Sequence, residues 1–417
     1  MSKFRRVMCF LLSVVAFACL LPVPGAAQEI ALASEAAVLM DAESGQILYG
    51  KNMDSTMYPA SITKVLTGLL ALKYGKETDK VTMTQAGVSQ VPRTSSHIAL
   101  EPGEAFTMKD ALYALALVSA NDAAVAIAET VSGSVEDFAK LMNEEAEKLG
   151  AYNSHFVNPN GMPNQEHYTT ARDMALITAE ALKQETFLTY FGAKSYEMPA
   201  TNLSAARSLV SKNQFIDGTF DCPGLLMSKT GWTSSALGTL VTAVKRGDTT
   251  LIAVTLKSPM LEDKYTDTLA LLDYGFANYR RVRLSQKLME RKMVAQGMDE
   301  ECSLEGYTPQ DVLIPQTAGE ADIAVTVPGG FDSSLGLSTV PASVDVKQED
   351  GTWIHVTDLL LTIRDPEPEV EALAETEGGE ATAETEAKAI HPGAAILLGL
   401  AVVFFLFRFI GKRKVTV

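Results

Sequence analysis

Strand-forming stretches bracket a long helical block, and that order constrains the fold more than any other feature of the chain. Residues 36–40 are an apolar run, Asp41, Ala42, Glu43, Ser44 and Gly45 supply turn chemistry, and residues 46–49 continue as a strand. Helical patterns follow. The first starts near Tyr58, with Pro59 suited to open it and Gly75 to end it. Others cover 107–118, 123–131, 134–149 and 172–184. Strand patterning then returns: the stretch LLMSKTGWT leads into 237–245, Arg246, Gly247 and Asp248 make a turn, and 249–257 runs back. Residues 264–279 are helical again. A sheet assembled from both ends of such a segment around a helical block is an α+β arrangement, here an antiparallel sheet flanked by helices that closes near residue 280.

Residues 281–364 are short-stranded, with strands expected at 323–327, 343–348, 353–356 and 359–363, and read as a small β domain. Residues 365–390 are an acidic linker, with nine Glu and Asp residues from Asp365 to Glu386 against Lys388 alone; like charges keep such a segment extended. The chain ends carry addresses. Lys3, Arg5 and Arg6 precede an apolar stretch at 7–21, Pro22 and Pro24 break it, and small residues at 25–27 precede Gln28, the pattern of a signal peptide spanning 1–27. Residues 393–410 are apolar except for Arg408 and are followed by Lys412, Arg413 and Lys414. That is near the shortest length that spans a bilayer, with a basic tail at 411–417 belonging on the cytoplasmic side. The expected location is therefore the bacterial cell membrane, with residues 28–364 on the extracytoplasmic side. The alternatives at the two ends are an uncleaved N-terminal anchor and a C-terminal helix lying on the membrane surface.

The net charge of −16, with no strongly basic patch, excludes nucleic acid as a partner. Cys9 and Cys19 leave with the signal; Cys222 and Cys302 could pair or stay as two free thiols. Five His without a metal-binding spacing give no metal site, and no cofactor is expected.

Three short motifs carry chemistry. Ser61 and Lys64 lie three apart at the head of a helix, so the amine can reach the hydroxyl and take its proton. Alone, Ser-x-x-Lys also fits a polar start to a buried helix, and it falls by chance about once or twice in a chain this long. Ser119 and Asn121 follow the end of a helix; a second hydroxyl relays protons and an amide holds a carbonyl, although both residues also suit helix capping. Asp122 reads as helix N-terminal charge. Lys229, Thr230 and Gly231 sit in a predicted strand, where cation and hydroxyl project toward a carboxylate and glycine allows close backbone approach. A charged edge-strand residue before a turn would look the same. His155 and His167 read as packing or loop-holding residues, and Arg172 with Asp173 as an ion pair or helix cap.

In this order the three motifs resemble those of class A β-lactamases and penicillin-binding proteins. The stretches YPASITKVLTGLLAL, LGAYNSHFVNPNGM, HYTTARDMALI, SKTGWTSSALGTLVTAV and YTDTLALLDYGFANY are similar to the D-Ala-D-Ala carboxypeptidase branch, peptidase family S11, over residues 29–280. The resemblance implies a serine β-lactamase/transpeptidase-like catalytic domain at 28–280. It also implies a hydrolase that removes the terminal D-Ala from peptidoglycan pentapeptide stems and is acylated by β-lactams.

In that scheme neutral Lys64 activates Ser61, and Ser119 passes the proton to the leaving D-Ala. The backbone N–H groups of Ser61 and Trp232 form the oxyanion hole. Lys229 and Thr230 hold the terminal carboxylate, and Asn121 the acyl-side amide. Two departures stand out: Trp232 occupies a position where His or another aromatic is usual, and Lys264 falls where members often carry Arg. A class A-like β-lactamase is the alternative enzyme, but it needs a Glu-x-x-Leu-Asn loop that the stretch after Glu166 does not match. The alternative outside enzymes is a non-catalytic wall-binding protein on the same fold, against which the intact motifs argue.

Overall fold

The computed structural model describes residues 30–295, 303–327 and 337–364. The signal peptide, Cys302, the acidic linker, the membrane segment and the basic tail lie outside the described residues. Among the described residues no helix is long and apolar enough to cross a membrane.

Strands β1 (Ala36–Asp41) and β2 (Ile47–Lys51) form the expected hairpin. A 3-10 turn at Ala60–Thr63 leads into α1 (Lys64–Tyr74). The short strands β3 (Lys80–Thr82) and β4 (Ala105–Thr107) flank α2 (Gln85–Ser89). The helical block continues as α3 (Met108–Leu117), α4 (Asn121–Ser132), α5 (Val135–Lys148), α6 (Ala171–Leu182) and α7 (Glu185–Phe191). A small hairpin, β5 (Ser195–Met198) and β6 (Arg207–Val210), precedes the long strands β7 (Leu225–Thr233), β8 (Leu237–Arg246) and β9 (Thr249–Ser258). Helix α8 (Asp263–Asn278) follows.

The sheet joins both ends of this segment in the order β2-β1-β9-β8-β7, antiparallel throughout. Its central strands explain their own apolar runs. In β1, Ala36, Val38 and Met40 pack with the helical block, while Ala37 and Leu39 pack on the α8 side. Strand β9 divides the same way, with Ile252, Val254 and Leu256 on one face and Leu251 and Ala253 on the other. A strand covered on both faces needs no polar alternation. Helix α1 is buried from Lys64 to Ala71 and runs through the middle of the helical layer, which accounts for its nearly continuous apolar sequence. Thr107 caps α3 in a capping box with Asp110, and Ser134 and Thr170 cap α5 and α6.

After α8 come β10 (Tyr279–Leu284), α9 (Gln286–Val294), β11 (Ser303–Leu304), β12 (Gln310–Pro315), β13 (Ile323–Thr326), β14 (Leu337–Lys347) and β15 (Trp353–Arg364). Strands β11, β15, β14 and β13 form a second antiparallel sheet with its own apolar cluster. Here the sequence reading needs correction. The stretches 353–356 and 359–363 are one strand, because a register shift opposite Val344 and Asp345 absorbs an extra residue and lets pairing continue. Strand β14 starts well before residue 343. It tolerates Pro341 because the β13 ladder ends at Thr326–Ser343, so that Pro341 pairs with β15 alone. Helix α9 and strands β10 and β12 were not expected. Gln46 joins β12 to the first sheet through a paired amide contact, donating to the Leu313 carbonyl at 2.8 Å and accepting from its N–H at 3.0 Å. Arg281 lies against the buried Asp41 at 2.8 Å.

Candidate active site

Ser61 lies in the 3-10 turn, one residue after Ala60, whose φ of 50° bends the chain sharply into it. Lys64 follows as the first residue of α1 and is fully buried. Its Nζ has three oxygen neighbours: Ser61 Oγ at 2.9 Å, Asn121 Oδ1 at 2.7 Å and the Asn160 carbonyl at 2.7 Å. Burial and, after it, the charge of Lys229 hold this amine well below the usual lysine range, while Asp122 acts in the opposite direction. A neutral amine has two N–H groups and one lone pair. Asn160 O is solely an acceptor, and Asn121 presents its oxygen while its Nδ2 faces Met162 Sδ at 3.6 Å. These two acceptors take both N–H groups, so the lone pair is left for the Ser61 hydroxyl. That is the geometry of a general base.

A loop beneath the Ser61 turn supplies the Asn160 carbonyl. Asn158 Oδ1 accepts from the N–H groups of Gly161 and Met162, and the Thr67 hydroxyl donates to Pro159 O. Gly161 has φ of 82°, and a Cβ there would lie 1.8 Å from the Ala60 carbonyl oxygen, so only glycine fits. His167 ties the loop to the turn. Its Nδ1 accepts from the Val157 N–H at 3.1 Å, which leaves Nε2 carrying the proton and donating to Thr63 Oγ1 at 2.9 Å; Thr63 in turn donates to Ala60 O. Burial, with smaller contributions from His155 and Lys64, pushes the His167 imidazole down to about 3. It is a neutral strut. His155 likewise holds the loop, through the Glu166 carbonyl.

Ser119 occupies the break between α3 and α4 with φ of 57°, a strained conformation for a side-chain-bearing residue. Its Oγ accepts from Lys229 Nζ at 3.0 Å. Asn121 is the first residue of α4, and Asp122 accepts from the N–H groups of Ile98, Leu100 and Ala123, fixing the helix start. Asp122 thus anchors backbone. Across the cleft, β7 presents Lys229, Thr230, Gly231 and Trp232. A Cβ on Gly231 would stand 2.8 Å from the Ser61 N, 3.0 Å from Pro59 O and 2.3 Å from Thr239 Oγ1, so the strand edge touches the Ser61 turn only because residue 231 is glycine.

A cavity of about 280 Å³ opens between these elements, lined by Ser61, Ser119, Lys229, Thr230, Gly231 and Trp232. Lys64 and Asn121 lie behind Ser61. Four polar residues that had no assigned role also line it: Ser96, Lys212, Asn213 and Ser228. Lys264, marked in the sequence as a departure, lies in the wall and is nearly buried. No carboxylate is among the lining residues. Burial, with the nearby Lys264 charge, lowers Lys229 to about 7, and burial lowers Lys264 as well. Trp232 is 58% exposed at the rim. Arg172 pairs with Asp54, not with its neighbour Asp173, which receives Asn153 N–H and Ser154 Oγ. Among the described residues Cys222 has no disulfide partner; its buried thiol is raised to about 11 by burial. Among the described residues no group of His, Cys, Asp and Glu could hold a metal ion.

A model of the D-alanyl-D-alanine carboxypeptidase family, peptidase family S11, matches residues 24–260. Among characterised proteins, the chain is 37% identical over 256 residues to D-alanyl-D-alanine carboxypeptidase DacF of Bacillus subtilis, covering 60% of this chain and 64% of that one. It is 33% identical over 250 residues to DacA of Haemophilus influenzae, covering 58% and 61%. The matches therefore span slightly less than two thirds of these relatives. Among solved structures, penicillin-binding protein 5 from Haemophilus influenzae superposes with a TM-score of 0.66 at 24% identity, over 83% of this chain and 99% of that one, a likeness of fold. The D-alanyl-D-alanine carboxypeptidase from Mycobacterium tuberculosis gives 0.54 at 29% identity, over 62% and 94%.

The His167 strut has a measurable cost in acid. Its folded value of about 3 lies below the ordinary 6.5, so the unfolded chain binds more protons between those limits and stability falls as pH drops through that window. The slope from this group alone approaches about 1.4 kcal/mol per pH unit. Urea unfolding between pH 7 and pH 4 should show a shallower loss for His167→Gln than for the parent chain. Parallel curves would contradict the strut.

Proposed function

Because the chain belongs to peptidase family S11, the D-alanyl-D-alanine carboxypeptidases, we propose that it removes the terminal D-Ala from peptidoglycan pentapeptide stems through an acyl-enzyme on Ser61. The observation that carries this reading is the Lys64 amine, 2.9 Å from Ser61 Oγ and saturated by Asn121 and Asn160 on its other sides. The proposed sequence is acyl transfer followed by hydrolysis. Lys64 takes the Ser61 proton as Oγ attacks the carbonyl between the two D-alanines. The N–H groups of Ser61 and Trp232 stabilise the developing oxyanion. Breaking the C–N bond needs a proton on the leaving amine; Ser119 relays it, at the end of the Lys229–Ser119 contact. Water then adds to the ester and frees Ser61.

Lys229 and Thr230 receive the terminal carboxylate, and Lys264 and Lys212 add positive charge to the same wall. Asn121 directs its oxygen to Lys64 and one amide N–H to Met162 Sδ, so what it offers a substrate is its remaining amide N–H, which suits an acyl-side carbonyl. A β-lactam reacts by the same attack and leaves a slow ester. The apolar run at 393–410 with its basic flank supports a membrane anchor that holds the enzyme on the wall side, and the acidic segment at 365–390 supports a stalk.

Intact-mass analysis after incubation with penicillin should find one adduct per chain, on the peptide that contains Ser61, and purified protein should release D-Ala from a pentapeptide. An adduct that persists in Ser61→Ala would overturn the assignment.

The cleft also sets a pH limb. Lys229 is a cation below about 7 and neutral above it, so kcat/KM for a substrate with a free C-terminal carboxylate should fall as pH rises through that value in the free enzyme. Lys264→Met removes a neighbouring cation and should move this limb to higher pH, whatever it does to the maximum. A limb that stays in place would separate Lys229 from carboxylate recognition.

A further inference from the structure

A second cavity, of about 340 Å³, lies next to the catalytic cleft and is not used by the chemistry above. Tyr58, Gln165, Tyr168, Ser235, Glu35 and Lys257 line it. The two cavities share no lining residue, but the chain links them at two places. One wall runs along the chain from Ser61 back to Tyr58, and the other from Trp232 forward to Ser235 in the β7–β8 turn. Both walls are braced. Met57 and Thr169 exchange backbone hydrogen bonds at 2.8 and 2.9 Å, and the Ala236 N–H donates to Thr233 Oγ1 at 2.9 Å.

One side of this cavity carries an ion pair, Lys257 Nζ to Glu35 Oε2 at 2.6 Å, with both side chains about half exposed. A pair so open to water contributes little to stability. Yet Lys257 is held in place at a cost. It sits near the end of β9 with φ of 57°, a left-handed conformation in a strand whose neighbours Leu256 and Ser258 are buried. Register between β8 and β9 shifts just there, between Gly238 and Leu240. Glu35 is fixed from the other side, where Asn52 Nδ2 donates to its carbonyl at 2.8 Å and Asn52 itself has φ of 45°. Lys257, strained at the register shift, and Glu35, whose backbone Asn52 ties down, thus place a weak, accessible acid–base pair in the cavity. Local strain of this kind accumulates where a side chain must be aimed.

We propose that the Glu35–Lys257 cavity is a subsite for a zwitterionic amino-carboxylate group on the acyl side of the substrate, with Glu35 taking the ammonium and Lys257 the carboxylate. The proposal rests on the carboxypeptidase reading for its substrate class: stems whose residue before the D-alanines is a diamino diacid end their side chain in this group. Exchanging one internal ion pair for two charge-assisted hydrogen bonds to the ligand keeps both charges partnered.

The test compares two pentapeptides, one with the free amino-carboxylate end on its third residue and one with that end acetylated and amidated. The parent protein should prefer the free form by about tenfold in kcat/KM, and Glu35→Gln with Lys257→Asn should bring that ratio close to one; Asn tolerates the left-handed backbone. Penicillin acylation of the double variant reports that it is folded. A parent protein without preference, or a ratio unchanged by the double variant, would overturn the subsite. If neither peptide releases D-Ala, it is the carboxypeptidase reading that fails. Titration calorimetry with the tripeptide lacking both D-alanines then decides the cavity by itself. Binding that weakens about tenfold in the double variant supports the subsite, and no binding to the parent chain overturns it.

Discussion

Taking the Lys64 ammonium out of water costs on the order of several kcal/mol, and among the described residues no carboxylate contacts its Nζ to offset that cost. That cost favours the neutral amine, and the fold partners its two N–H groups with oxygen acceptors drawn from two distant parts of the chain: a side chain at the start of α4 and a backbone carbonyl in the loop before α6. Each requires further structure. The Asn160 carbonyl is aimed by an Asx turn at Asn158 and by a glycine that alone can lie under Ala60. Asn121 is set by Asp122, which gathers three backbone N–H groups. The neutral His167 strut joins the loop to the Ser61 turn, so Ser61 and Lys64 belong to one braced unit.

The whole chain is acidic, at −16, whereas the cleft is lined by Lys212, Lys229 and Lys264 without an opposing carboxylate. A positive, low-dielectric recess in an acidic surface focuses the field on one spot. Burial and, after it, the charge of Lys229 disfavour the charged form of Lys64, so a cation that lines the cleft also favours the neutral amine beside Ser61. Lys at 264, in place of a guanidinium, makes this balance titratable, because an ammonium loses its proton under burial far more readily than Arg does.

Most of the catalytic half was legible in the sequence because its signals are local. The β1–β2 hairpin, the long helices and the β7–β9 ladder follow from periodicity, caps and turns. Ser61, Lys64, Ser119 and Asn121 converge with Lys229, Thr230, Gly231 and Trp232 on one cleft and its rear wall, as the order of the motifs suggested. Asn160 escaped notice because it acts through its carbonyl, which every residue has, and only the adjoining Asn158 and Gly161 hinted at a shaped turn. Lys212 looked like any surface lysine. In the second sheet, Pro341 and the polar Thr357–Asp358 step concealed continuous strands, since a bulge and a ladder that ends early are tertiary facts.

The claim on which this account depends is that Lys64 is neutral and receives the Ser61 proton. Selective 13C labelling of lysine, with the Cε resonance of Lys64 assigned by its loss in Lys64→Met, gives its titration directly. The account predicts a midpoint well below that of ordinary lysines, coinciding with the acid limb of penicillin acylation. A Lys64 resonance that titrates in the usual lysine range, near 10.5, with acylation already at its maximum at neutral pH, would contradict it.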